Sequence, residues 1–208
     1  IIFQGTYDGA GHTITYRSDK NQALFVHINA QSTVHSLTLQ HLVLAWNIEN
    51  SQIHHCETNR SLADKIANSQ LHHCQTDRSL AGGKVENSKI WACQTGGYIA
   101  AHLIHSTLQS CQSQTFLVRD SINESQISDC VVCFDEDVQH YFCNKPSNTD
   151  RINHMGAITR LLDKNSTLER CLVYGNIQSV NQEKNDYYAY LSGMVAACRN
   201  STIRQSVL

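Results

Sequence analysis

Asn50-Ser51-Gln52-Ile53-His54-His55-Cys56 returns as Asn68-Ser69-Gln70-Leu71-His72-His73-Cys74 and again as Asn87-Ser88-Lys89-Ile90-Trp91-Ala92-Cys93. Two looser copies follow, His105-Ser106-Thr107-Leu108-Gln109-Ser110-Cys111 and Glu124-Ser125-Gln126-Ile127-Ser128-Asp129-Cys130. Their cysteines stand 18, 19, 18 and 19 residues apart. A fixed period of this kind marks a repeat architecture. The period is too short for a helix pair, which takes roughly 33 residues or more, and the leucine-rich consensus is absent. What remains is an all-β solenoid, each repeat one coil of short parallel strands.

Within a coil, Ser51 and Ile53 alternate with Gln52 and His54, so Ser and Ile share the inner face. Strict alternation would then turn Cys56 outward. A recurrent cysteine suits a buried place, so the spacing predicts a bend at His55 that turns Ile53 and Cys56 both inward, on two walls. Three inner columns follow: Ile53/Leu71/Ile90/Leu108/Ile127, Cys56/Cys74/Cys93/Cys111/Cys130 and Thr58/Thr76/Thr95/Ser113/Val132. Leu62, Leu80, Ile99 and Leu117 make a fourth, while Gln75, Gln94 and Gln112 stack outside. Burying one such apolar side chain contributes roughly 1.5–3 kcal/mol, so a coil is stable only when its neighbours cover it.

The chain has 208 residues, a formal charge of −2 and 16% charged residues. Its surface is therefore largely uncharged and polar. No basic patch interleaved with aromatics suggests nucleic acid as a partner. No run of 18 apolar residues suggests a membrane span. The chain opens on Ile1-Ile2-Phe3 without a leader pattern and closes inside a repeat, which reads as a piece of a longer protein with flanking domains. Nine cysteines are an odd number. Five share one column, where neighbours point in parallel and make poor disulfide geometry. They read as reduced, buried thiols filling a narrow core, which suits folding under reducing conditions.

Phe3-Gln4-Gly5-Thr6-Tyr7-Asp8-Gly9-Ala10-Gly11-His12-Thr13-Ile14 resembles the opening coil of right-handed parallel β-helices in bacterial secreted and surface proteins. Ser32-Thr33-Val34 starts the ladder one period ahead of Ser51. Near the end, Met155-Gly156-Ala157-Ile158 leads to Asn165-Ser166-Thr167-Leu168, and Ser192-Gly193-Met194-Val195 leads to Asn200-Ser201-Thr202-Ile203. These stretches are similar to the GLUG repeat of bacterial adhesins. The resemblance implies a right-handed parallel β-helix of roughly ten coils of about 18–19 residues, a single domain over 1–208, and an adhesin-like, secreted setting. Two polar stretches, 134–154 and 178–190, read as loop insertions. The 41-residue step from Cys130 to Cys171 reads as about two coils.

Five constellations invite a chemical reading. His54 over His72 and His55 over His73 place imidazoles about 5 Å apart, a spacing at which two rings can share Zn²⁺ or Cu²⁺, although repetition alone produces such columns. Arg60 and Arg78 stack beside Asn59 and Asp77, an edge for an anion or a glycan. Asp135, Glu136 and Asp137 are consecutive in the first insertion and read as a solvated acidic loop rather than an acid–base pair. Cys133, read as core, Cys143 and His154 lack an orienting Asn or Asp for nucleophilic chemistry. Tyr187 and Tyr188 lie in the second insertion, placed to contact a sugar or a protein. No pattern implies a cofactor.

The expectation is a non-catalytic scaffold or recognition region of a bacterial secreted or translocated protein, binding an extended glycan or host protein. One alternative is a polysaccharide-acting β-helix enzyme of the lyase or hydrolase type. The other is a spacer or targeting region of an effector delivered into host cytosol, which the reduced cysteines favour.

Overall fold

The structure, a computed structural model, describes residues 1–17, 22–134, 152–155, 157–175, 188–191 and 194–207. Its strands run parallel to their neighbours and wind into a right-handed parallel β-helix. One wall is a nine-stranded sheet, in the order Ile2–Phe3, Ala23–Ile28, Val43–Glu49, Ala63–Ala67, Lys84–Glu86, Ala100–Ile104, Val118–Asn123, Thr159–Asp163 and Val195–Cys198. The second and third walls share a fifteen-stranded sheet. They share it because Thr33–Gln40 and Gln52–Thr58 run unbroken around the corner between them. From the next coil on, the same stretch splits into pairs such as Gln70–His72 and Gln75–Thr76.

The bend predicted at His55 is a left-handed residue. His55 has φ 53°, and its equivalents Ser36, His73, Ala92, Ser110, Asp129, Arg170 and Gln205 lie between 47° and 56°. One such residue reverses the in–out alternation, so Ile53 and Cys56 both face inward. A second left-handed corner precedes the recurrent serine, at Asn50, Asn68, Asn87, His105, Glu124 and Asn200 (φ 47–50°). Asn and His tolerate this conformation better than most side chains, which explains the residue types that recur there.

Each corner is fastened by the side chain that follows it. Ser51, Ser69, Ser88, Ser106 and Ser125 each donate Oγ–H to the carbonyl two residues back, at 2.6–2.7 Å. From Ser69 on, the oxygen also accepts the backbone N–H of the equivalent serine one coil earlier: Ser51 N–H donates to Ser69 Oγ, Ser69 N–H to Ser88 Oγ, and so on through Ser166 to Ser201, at 3.0–3.2 Å. The cysteines do the same at the other corner. Their thiols point to the carbonyl two residues back at 3.2–3.5 Å, and Cys111 N–H donates to Cys130 Sγ at 3.4 Å. Beyond Cys171 the place is taken by Ser206, whose Oγ accepts Cys171 N–H at 3.1 Å. Cysteine here is a serine analogue with a more apolar body.

Ile53, Leu71, Ile90, Leu108, Ile127 and Leu168 stand in register and are 0–1% exposed. Leu62, Leu80, Ile99 and Leu117 are likewise fully buried. A further inner column, Ile48–Ile66–Val85–Leu103–Ile122–Leu162, lines the nine-stranded wall. The eight described cysteines are free, and the six in the column are buried. The contacts Cys93 makes with Cys111 and Cys74, together with burial, push its thiol well above the ordinary range.

Three expectations change. The step from Cys130 to Cys171 is one coil, not two: Gln126 pairs with Thr167 and Val131 with Leu172. The strand of this coil ends at Phe134, and Ala157 and Ile158 are again buried in the core. Of the stretch read as a loop, 135–151 lies outside the described residues, while Ile152–Met155 is a strand paired with Tyr188–Leu191 from the second insertion. The insertions thus repeat the stacking rule in a small sheet of their own. Cys133, expected in the core, is half-buried and alternates outward between buried Val132 and Phe134. There it pairs in register with Tyr174.

Thr115 is buried, and its Oγ1 has no hydrogen-bond partner among the described residues. Thr115→Val replaces that hydroxyl with a methyl of the same shape. It is expected to stabilise the fold by about 1 kcal/mol, read from the midpoint of urea unfolding. A loss of stability would show the hydroxyl to be satisfied.

Candidate functional site

The most distinctive surface lies at the corner between the second and third walls. The second-wall strands hold His35, His54, His72 and Trp91 in register, each half-buried. Their rings stack face to face, with centroids 4.9, 4.8 and 4.5 Å apart. His55 and His73 stack beside them at 5.0 Å, exposed on their left-handed residues. The column therefore begins one coil before the sequence motif suggests. His35 follows Val34 just as His54 follows Ile53, but Ser36 stands where a second histidine would extend the pattern. Asp8 Oδ1 lies 3.3 Å from His35 Nδ1.

The close nitrogen contacts are within a coil. His54 Nδ1 lies 3.1 Å from His55 Nδ1, and His72 Nδ1 lies 3.0 Å from His73 Nδ1, with ring planes at 85° and 84°. Between coils, equivalent rings lie parallel, while His55 meets His72 edge to face with centroids 5.7 Å apart. Among the described residues, no group of three or more His, Cys, Asp or Glu side chains is placed to hold a metal.

Partial burial, then the neighbouring imidazoles, lowers the pKa of His54 and His72 from the usual 6.5. The fold thus favours the neutral rings. Below about pH 6.5 the unfolded chain binds the protons that the fold resists. This contribution to stability is present above that pH and is lost as pH falls through the lowered values. Melting temperature is expected to drop between pH 7.5 and 5.5, and to drop less in His54→Gln/His72→Gln. Equal slopes in the two proteins would remove the imidazole column from the explanation.

Arg60 is half-buried and Arg78 exposed. The bonds from Asp77 N–H to Thr58 O and from Leu62 N–H to Leu80 O hold their two coils in register on either side of them. Neither guanidinium forms an ion pair with a described residue. A cleft of about 190 Å³ alongside is lined by Gln40, Glu57, Asn59, Gln75 and Asp77. Gln75, Gln94 and Gln112 pair in register on the outer side of the third wall, as the spacing predicts. Gln52 and Gln70 do the same on the second.

Other expected residues fall where less is seen. Asp135, Glu136, Asp137, Cys143 and Tyr187 lie outside the described residues. Tyr188 and His154 belong to the small paired sheet.

Sequence reasoning missed two surface charge clusters. Arg170 Nε and Nη2 donate to Asp129 across coils at 2.6 and 3.0 Å, and Nη1 reaches Glu169 at 2.6 Å. Arg119 pairs with Asp120 and donates to Tyr98 Oη at 3.0 Å, with its guanidinium 5.0 Å over that ring. The only signal was an acid and a base one period apart, as at Asp129 and Arg170, with the insertion lengthening that period to 41.

No helix among the described residues is long and apolar enough to cross a membrane. Compared with protein-family models, with curated proteins and with solved structures, the chain matches none of them.

Proposed function

We propose that the chain is a non-catalytic scaffold and recognition region that binds an extended glycan along its side. The observation that carries this reading is the in-register row of outward amides Gln75, Gln94 and Gln112, with Gln52 and Gln70 on the adjoining wall. Rows repeat at about 4.8 Å, so a linear partner meets the same donors and acceptors coil after coil. A face made chiefly of amides, with Glu57 and Lys89 next in its rows, suits hydroxyl-rich polymers. Arg60 and Arg78, level with each other beside the row, add cations for an acidic sugar.

The setting in a bacterial secreted or translocated protein belongs to the same proposal. It is supported by the GLUG-like stretches around Met155 and Ser192 and by the Phe3–Ile14 opening coil. A column of free thiols supports delivery into a reducing compartment.

The test is a panel of linear oligosaccharides of increasing length, neutral and acidic. Binding to the wild-type chain is compared with Gln75→Glu/Gln94→Glu/Gln112→Glu. Affinity that grows with length and falls at least tenfold in the variant supports the reading. Cleavage of the sugar would favour a polysaccharide-acting enzyme. Absence of any binding, or equal binding by both proteins, would overturn the proposed face.

A further inference from the structure

We propose that the pairs His54–His55 and His72–His73 are two-nitrogen clamps for a divalent transition metal of the imidazole-preferring class, Cu²⁺ foremost, then Ni²⁺ and Zn²⁺. At metal–nitrogen bonds of about 2.0–2.1 Å, two ligands at a right angle stand about 2.9 Å apart. The observed Nδ1 separations of 3.1 and 3.0 Å are close to this, twice over, on adjacent coils. In each contact one ring donates Nδ1–H to the Nδ1 lone pair of the other. As the ion binds, water carries that proton from Nδ1 to Nε2 of the same ring, so both Nδ1 atoms become ligands of neutral imidazoles.

The fold builds the clamp from two features. The second-wall strand fixes the first ring of each pair by stacking it between its neighbours, His35 and His72 for His54, and His54 and Trp91 for His72. The left-handed corner then swings the next side chain back toward it, at φ 53° for His55 and 52° for His73. An ordinary strand would send consecutive side chains to opposite faces. The corner is what brings neighbours in sequence together. The repeat does not continue the clamp: Trp91-Ala92 follows on one side and His35-Ser36 precedes on the other. Two ligands leave the remaining positions to water or to donors on a partner. The preference among metals follows from imidazole, which suits copper, nickel and zinc rather than magnesium or calcium.

The test uses Cu²⁺ in the presence of excess glycine as competing chelator. Copper retained by the chain is measured, with its nitrogen hyperfine pattern by electron paramagnetic resonance. The variants are His55→Asn and His73→Asn, singly and together. Asn already occupies left-handed corners at Asn50, Asn68 and Asn87, so the fold is expected to persist, checked by circular dichroism. Copper held through two nitrogens by the wild type and by each single variant, with at least tenfold weaker retention in the double variant, is the expected result. No retention by the wild type, or retention by the double variant within twofold of it, overturns the proposal. The oligosaccharide measurements do not enter this outcome, so the two proposals stand or fall separately.

Discussion

Leu71→Ala is expected to destabilise the chain by about 2–5 kcal/mol, the range for emptying a fully buried leucine site. Leu71 is 0% exposed, and it sits in register between Ile53 and Ile90 on the coils before and after. Those neighbours are fixed by ladder hydrogen bonds on both sides, so they cannot close over the space. For a domain of this size, about 2–4 °C per kcal/mol translates that into a melting temperature lower by on the order of 10 °C. Gln70→Ala is the control, because Gln70 is exposed on the same strand. Its effect is expected within about 0.5 kcal/mol. Equal effects from the two changes would mean that the strand does not present alternate faces to core and solvent.

Ser88→Ala is expected to cost about 1–3 kcal/mol, although it removes a single oxygen. Ser88 Oγ is the acceptor for the buried N–H of Ser69 and the donor to Glu86 O. Alanine leaves that N–H without the acceptor and loosens the left-handed turn at Asn87. Hydrogen exchange at the Ser69 amide is expected to quicken while distant coils keep their protection. Ser88→Cys is expected to lose less than Ser88→Ala, since a thiol fills the same role where Cys130 Sγ accepts Cys111 N–H. Unchanged exchange at Ser69 in Ser88→Ala would contradict the ladder.

The repeat made the architecture legible because its period was strict. Columns such as Ile53–Leu71–Ile90 and Gln75–Gln94–Gln112 follow from counting residues. The corner at His55 was legible for a different reason: a buried cysteine conflicts with strand alternation, and only a bend removes the conflict. The role of the buried serines was not legible. Nothing in Asn-Ser-Gln-Ile states that Ser Oγ serves two coils at once. The Cys130–Cys171 step misled, because a 41-residue gap has the length of two coils, and length alone cannot separate a second coil from an excursion. For the candidate site, the stacked histidines were visible in the period. Contact within each pair was not, since neighbours in a strand ordinarily face apart. Trp91 also reads as the end of the histidine column from sequence, yet it continues the stack at 4.5 Å. A flat aromatic ring preserves the stacking surface that the imidazoles share.

Alkylation of the native chain, followed residue by residue with mass spectrometry, tests most directly whether residues one period apart lie above one another around a dry interior. Cys198 is exposed and Cys133 half-buried, whereas Cys56, Cys74, Cys93, Cys111, Cys130 and Cys171 are at most 2% exposed. The stacked coils predict rapid labelling of Cys198, and protection of those six until denaturant is added. Labelling of Cys56, Cys74 and Cys93 in the native chain at the rate of Cys198 would contradict the β-helix and every column drawn from it.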